Sequence, residues 1–111
     1  VRFLKKNHFT ILERNWKNRT GRSIGEIDII AKEGMDIVFI EVKTRAGRRN
    51  EIILPEENIT RSKLSRLSRI AEVYMKEKNM GYTPYRFDAV LVIFFEKEEI
   101  PEIRHIRSIF L

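Results

Sequence analysis

The chain has 111 residues, no cysteine and a formal net charge of +6. That length allows one domain with a single core, the lack of cysteine excludes disulfides, thiolate metal sites and cysteine nucleophiles, and no apolar run reaches the ~18 to 20 residues of a membrane span. With 42% apolar and 34% charged residues the chain reads as a soluble globular domain over 1–111, expected in the cytoplasm; its surplus of base favours a polyanionic partner, although many basic domains bind nothing.

The opening V-R-F-L-K-K-N-H-F reads as the last turn of a helix, with Phe3 and Leu4 followed by Lys5, Lys6 and Asn7. Thr10 to Lys17 alternates loosely and is a first strand, at or near a sheet edge, with Trp16 as a packing residue. Asn18 to Ser23 is turn-rich and basic. Such a stretch is often only a solvated loop, but its position ahead of Glu26 makes Arg19 and Arg22 candidates for phosphate contact.

From Gly25 to Arg45 the sequence G-E-I-D-I-I-A-K-E-G-M-D-I-V-F-I-E-V-K-T-R reads as two strands joined by a tight turn, with Gly34 supplying the positive φ of a two-residue hairpin loop. A loop at Gly34-Met35 would set Glu33 opposite Asp36, Asp28 opposite Glu41 and Glu26 opposite Lys43. Directly opposed side chains share a face at roughly 4.5 to 5.5 Å between Cβ atoms, and opposed carboxylates repel. A cation is therefore expected between Asp28 and Glu41, and their oxygens suit a hard ion such as Mg2+ or Mn2+ that keeps several waters. Lys43, two residues beyond Glu41, would hold a charged oxygen or position a water. Arg45, Arg48 and Arg49 continue the basic flank, and an acidic pocket ringed by base suits a phosphodiester substrate.

After Arg45, Ala46 to Glu51 has charge and Gly without periodicity and is expected to be a mobile loop; Ile52, Ile53 and Leu54, just before Pro55, would pack on the core or on a second subunit. Thr60 to Met80 is helical: Thr60 is the N-cap, Leu64, Leu67, Ile70, Ala71 and Tyr74 make the apolar stripe, and Gly81 is the expected stop. Its basic face would simply be solvated, or would offer Lys63 and Arg66 to a nucleic-acid backbone near the helix N-terminus. Tyr85 to Phe95 reads as a strand buried on both faces, with Asp88 needing Arg86 or a backbone donor and favoured as structural. Ile100 to Phe110 is a last strand, and His8 and His105 lack partners at metal-ligand spacing.

The segments G-E-I-D-I-I-A, V-F-I-E-V-K-T-R and R-F-D-A-V resemble the YraN-like family of small bacterial proteins, which is assigned to the PD-(D/E)XK nuclease superfamily. The resemblance runs from about Ile11 nearly to the end, and it implies a restriction endonuclease-like αβββαβ core, a mixed central sheet flanked by helices. It implies Mg2+-dependent phosphodiester hydrolysis, with Asp28 and Glu41 as metal ligands, the Val42 carbonyl as a further ligand, Lys43 as the catalytic lysine and Glu26 as an outer ligand or base. DNA is implied in preference to RNA, with branched or junction DNA attractive because small resolvases share this core and act as homodimers. The alternative is a nuclease-fold module that binds nucleic acid without turnover. In the family the first helix carries a Gly-Glu pair whose Glu approaches the metal; no residue here matches it, so part of that helix is expected to be absent from the chain. The family's phenylalanine-glycine step after the hairpin has no counterpart either.

Overall fold

The computed structural model describes residues 1–17, 25–48 and 60–109. Their order is α1 (Arg2–Lys6), β1 (Thr10–Lys17), β2 (Glu26–Glu33), β3 (Asp36–Gly47), α2 (Arg61–Glu77), β4 (Tyr85–Phe95) and β5 (Glu102–Ile106). The strands form one sheet in the order β1-β2-β3-β4-β5, antiparallel except for the parallel β3–β4 pair. A parallel pair needs a long crossover, and α2 lies within it. The fold is thus α/β with the αβββαβ order of a restriction endonuclease-like core, plus a further strand at the far edge. Arg19, Arg22, Arg49, the Ile52-Ile53-Leu54 run and Phe110 lie outside the described residues.

Both sheet faces are covered, which is why β2 and β3 read as nearly continuous apolar runs. Ile27, Ile30, Ile37 and Phe39 meet Leu67, Ile70, Ala71, Tyr74 and Met75 of α2 on one face. Ile29, Ala31, Val38, Ile40 and Val90 meet Leu4 and Phe9 on the other. Trp16 packs on the α2 layer, edge-on to Tyr74 at 5.2 Å between ring centroids, as its packing role required. The β2–β3 ladder runs from Ile29–Ile40 to Glu33–Asp36 around the turn at Gly34, whose φ is +60°. Because a Cβ on Gly34 would meet nothing within 4 Å, glycine is needed there for its backbone, not for space.

Three boundaries differ from expectation. β3 continues through Ala46 and Gly47, because these residues pair with Phe94 and Phe95 of β4, and the expected loop from Arg49 onward lies outside the described residues. The last strand is only Glu102–Ile106. And α2 stops before Gly81: Asn79 adopts the left-handed conformation (φ +56°), with Met80 N–H donating to the Met75 carbonyl and Asn79 N–H to that of Lys76. That is a Schellman closure with asparagine in the usual glycine position.

At its other end α2 is capped by Thr60, whose hydroxyl accepts from Lys63 N–H at 3.1 Å. Thr60→Ala leaves that donor without its side-chain partner and is expected to cost about 1 kcal/mol of unfolding free energy, read from the shift in urea midpoint at unchanged slope.

Asp88, 1% exposed, closes the sheet at the hairpin-turn end. It accepts from Arg86 (Nε, 3.0 Å) and the Ser108 backbone N–H (2.9 Å), the two kinds of partner anticipated, and also lies 2.7 Å from His105 Nε2. His105 belongs to this structural cluster, with its ring against Phe9 and Phe3. Arg86 extends to Glu33 (2.8 Å) and Asp36 (3.2 Å), and Arg107 grips both oxygens of Glu33 at 2.7 Å. Burial works against the Asp88 carboxylate, yet the bonds from His105, Arg86 and Ser108 outweigh it and hold its pKa below the usual range.

Candidate functional site

The site begins where the β2–β3 ladder ends. Ile29–Ile40 is the last ladder pair at this end of the hairpin, and beyond it the Val42 N–H donates to Asp28 Oδ2 at 2.8 Å. The carboxylate thus takes the place of a strand carbonyl. The alternation of the strand breaks at this point: Ile27 joins the α2 layer whereas Ile29 joins the α1 layer. In β1, Asn15 takes a positive φ (+50°) between Arg14, registered with Ile29, and Trp16, registered with Ile27. Asp28 consequently faces a cavity of about 300 Å³ lined with Val1, Arg14, Asn15, Ile29 and Val42.

The expected Asp28–Glu41 and Glu26–Lys43 cross-strand pairs are therefore not ladder pairs. Glu26 registers with Lys17 of β1 and forms an ion pair with it at 3.8 Å. Lys43 turns to Glu41 on its own strand, at 3.5 Å. The physical reason is the repulsion between opposed carboxylates: Asp28 takes the Val42 backbone N–H instead of directly opposing Glu41.

Glu41 is buried, and its neighbours come from two elements. Lys63, three residues after the Thr60 cap, reaches Oε1 at 2.8 Å, and Lys43 approaches the same oxygen. Lys63 and Arg66 were to be either solvated or offered to a nucleic-acid backbone; Lys63 here pairs with a carboxylate of the site. Arg66 lies beside Gly25, where a Cβ would stand 3.6 Å from Arg66 Cδ and 3.2 Å from Ile70 Cδ1. With φ at +142° as well, Gly25 lets the start of β2 come close to α2. Arg45 lies on β3 and Arg48 just beyond it.

The charges are unevenly matched. Burial pushes the Asp28 pKa up; the Val42 N–H opposes this, while the Glu41 and Glu26 charges add to it. Lys43 is pushed down by the neighbouring Lys63 ammonium and by burial, with Glu41 offsetting only part. For Lys63, burial opposes the charge but the bond to Glu41 prevails and raises its pKa.

No group of three His, Cys, Asp or Glu among the described residues is placed to hold a metal. Two carboxylates are nonetheless a sufficient protein share for a hard ion that retains water. Asp28 fits such an ion on this structure's own terms: it is a partly desolvated carboxylate, repelled by two acids and bonded to one backbone N–H. Val42 is held beside it by that bond. Glu41 fits once its lysines make room. Sequence reasoning did not foresee the Lys63–Glu41 contact, which depends on how α2 crosses the sheet.

Comparison with known proteins agrees in extent. Residues 1–92 match the model of the uncharacterised protein family UPF0102. A UPF0102 protein of Caldicellulosiruptor saccharolyticus is 43% identical over 110 residues, covering 99% of this chain and 88% of the relative. One from Dictyoglomus turgidum is 41% identical over 100 residues, or 90% of this chain and 80% of the relative, and one from Rhodococcus opacus is 36% identical over 110, or 99% and 87%. With a family match over most of its length and relatives well above 30% identity, the chain belongs to UPF0102, the YraN-like family.

Proposed function

We propose that this protein hydrolyses phosphodiester bonds in nucleic acid with the help of Mg2+ or Mn2+. The observation that carries the reading is Asp28: a carboxylate set where two strands part, within reach of the Glu41 charge and open to a cavity edged by Arg14. A fold needing only a hairpin would gain from Thr or Val there. Asp28 and Glu41 would hold the ion, with Val42 next to them. When bound, a divalent ion supplies a lowered pKa for water and stabilises charge building on the phosphate. Lys43 would orient the nucleophile or neutralise the phosphate, and Glu26, at the exposed start of β2, would act as an outer base. Arg45, Arg48 and Arg66, with Arg19, Arg22 and Arg49, would carry the phosphate backbone. DNA, and junction DNA bound by a homodimer, is the preferred substrate on the family resemblance.

Titration calorimetry with Mg2+ or Mn2+ tests the core of this reading. Saturable binding is expected for the intact protein and is expected to vanish in Asp28→Asn and in Glu41→Gln, each checked for normal folding. Absence of binding even with nucleic acid present would favour the second reading, a binding module without turnover. The observation on that side is that Glu41 already has two lysines against it.

No described helix is long and apolar enough to cross a membrane.

A further inference from the structure

We infer that Lys63 is a displaceable cation that competes with a metal ion for Glu41, so that the ion binds weakly until a phosphodiester draws the lysine away. This rests on the metal-dependent reading above and adds to it a coupling: nucleic acid tightens the metal site.

The argument starts from the unequal distribution of charge. Lys43 and Lys63 both lie on Oε1 of Glu41, whereas among the described residues Asp28 accepts from the Val42 backbone N–H. An ion pair that only stabilised the fold would need one lysine on Glu41. The second is not a casual surface contact either, since the Lys63 side chain is 17% exposed and that of Glu41 10%. Asp28, Glu41, Lys43 and Lys63 together sum to no net charge. A divalent ion entering between the carboxylates would leave this cluster two charges in excess unless a cation withdrew or an anion arrived.

A phosphodiester does both. Lys63 sits in the first turn of α2, where the helix dipole favours an anion, with Arg61 and Arg66 exposed on the same helix. Its flexible stem and point charge allow it to exchange a carboxylate for a phosphate oxygen. Lys43, fixed on the same strand as Glu41, is the cation that stays. Linkage then requires that nucleic acid and metal each strengthen the binding of the other.

The test is Mn2+ binding followed by electron paramagnetic resonance, without DNA and with saturating phosphorothioate DNA, for the wild type and Lys63→Met. Without DNA, removal of the competing charge is expected to tighten Mn2+ binding roughly tenfold or more. DNA is expected to tighten Mn2+ binding strongly in the wild type and much less in the variant. Unchanged or weaker Mn2+ affinity in folded Lys63→Met would overturn the displacement, and so would an equal tightening by DNA in wild type and variant, because a lysine that stayed in place would repel the ion but would not couple it to DNA. Should Lys63→Met fail to fold, Lys63→Gln answers the same question. No saturable Mn2+ binding in any of these proteins, with or without DNA, is a different result and overturns the metal reading itself.

Discussion

Asp28→Asn is expected to lose phosphodiester cleavage by a factor on the order of 10³ while melting no lower than the wild type. Both effects arise from the same carboxylate. The folded protein raises the pKa of Asp28 through burial and the charges of Glu41 and Glu26, so the ionised form is less favourable folded than unfolded. Stability contributed by this residue is then present at low pH and lost as pH rises through the raised value. Asparagine keeps an acceptor for the Val42 N–H and removes the repelled charge. It also removes an anionic ligand. Mg2+ should accordingly raise the melting temperature of the wild type, since it binds only the folded form, and leave that of the variant where it is. A cleavage assay and a thermal melt on the same samples decide the matter: full activity, or a clear loss of stability with activity kept, would make Asp28 a structural residue.

How much of this could be read beforehand depended on how local each feature was. The hairpin turn is written in Gly34 and in the apolar runs beside it, and its register followed from the two-residue loop as far as Ile29–Ile40. The helix start is written in Thr60. Its end was misplaced because asparagine tolerates the left-handed conformation that Gly81 seemed better suited to provide. The chemistry of the site was legible as residue types, since acids at Asp28 and Glu41 make little sense in a buried hairpin. Its geometry was not. The broken alternation at Asn15 and Asp28, the Val42 N–H bond and the arrival of Lys63 all depend on elements that meet only once the sheet and α2 are packed. The same holds for His105, whose place beside Asp88 follows from the β4–β5 register and not from spacing along the chain.

The Asp88 cluster supplies the contrasting case, a carboxylate whose removal should cost stability. Asp88→Ala is expected to destabilise the fold by about 3 to 5 kcal/mol, the range for breaking a buried charge pair from one side. The variant would strip Arg86, largely buried, of one partner, leave the Ser108 N–H unanswered and free His105 from its carboxylate. Asp88→Asn keeps acceptor capacity and should cost less. Acid should act in the same direction as the mutation. Arg107 and Arg86 hold the Glu33 pKa down to about 2 from 4.5, against a smaller opposing effect of burial, and Asp88 is lowered too. Groups lowered on folding contribute stability that is present above their unfolded pKa and lost as pH falls through the folded one. For Glu33 the loss should run from about 4.5 toward about 2. Urea unfolding of the wild type across that window should show a falling midpoint, and Asp88→Ala a weaker dependence from a lower start. A midpoint independent of pH would mean that the cluster does not bind the hairpin turn to β4 and the segment after β5. Opposite signs at Asp28 and Asp88 would then separate a carboxylate kept for chemistry from one kept for the fold.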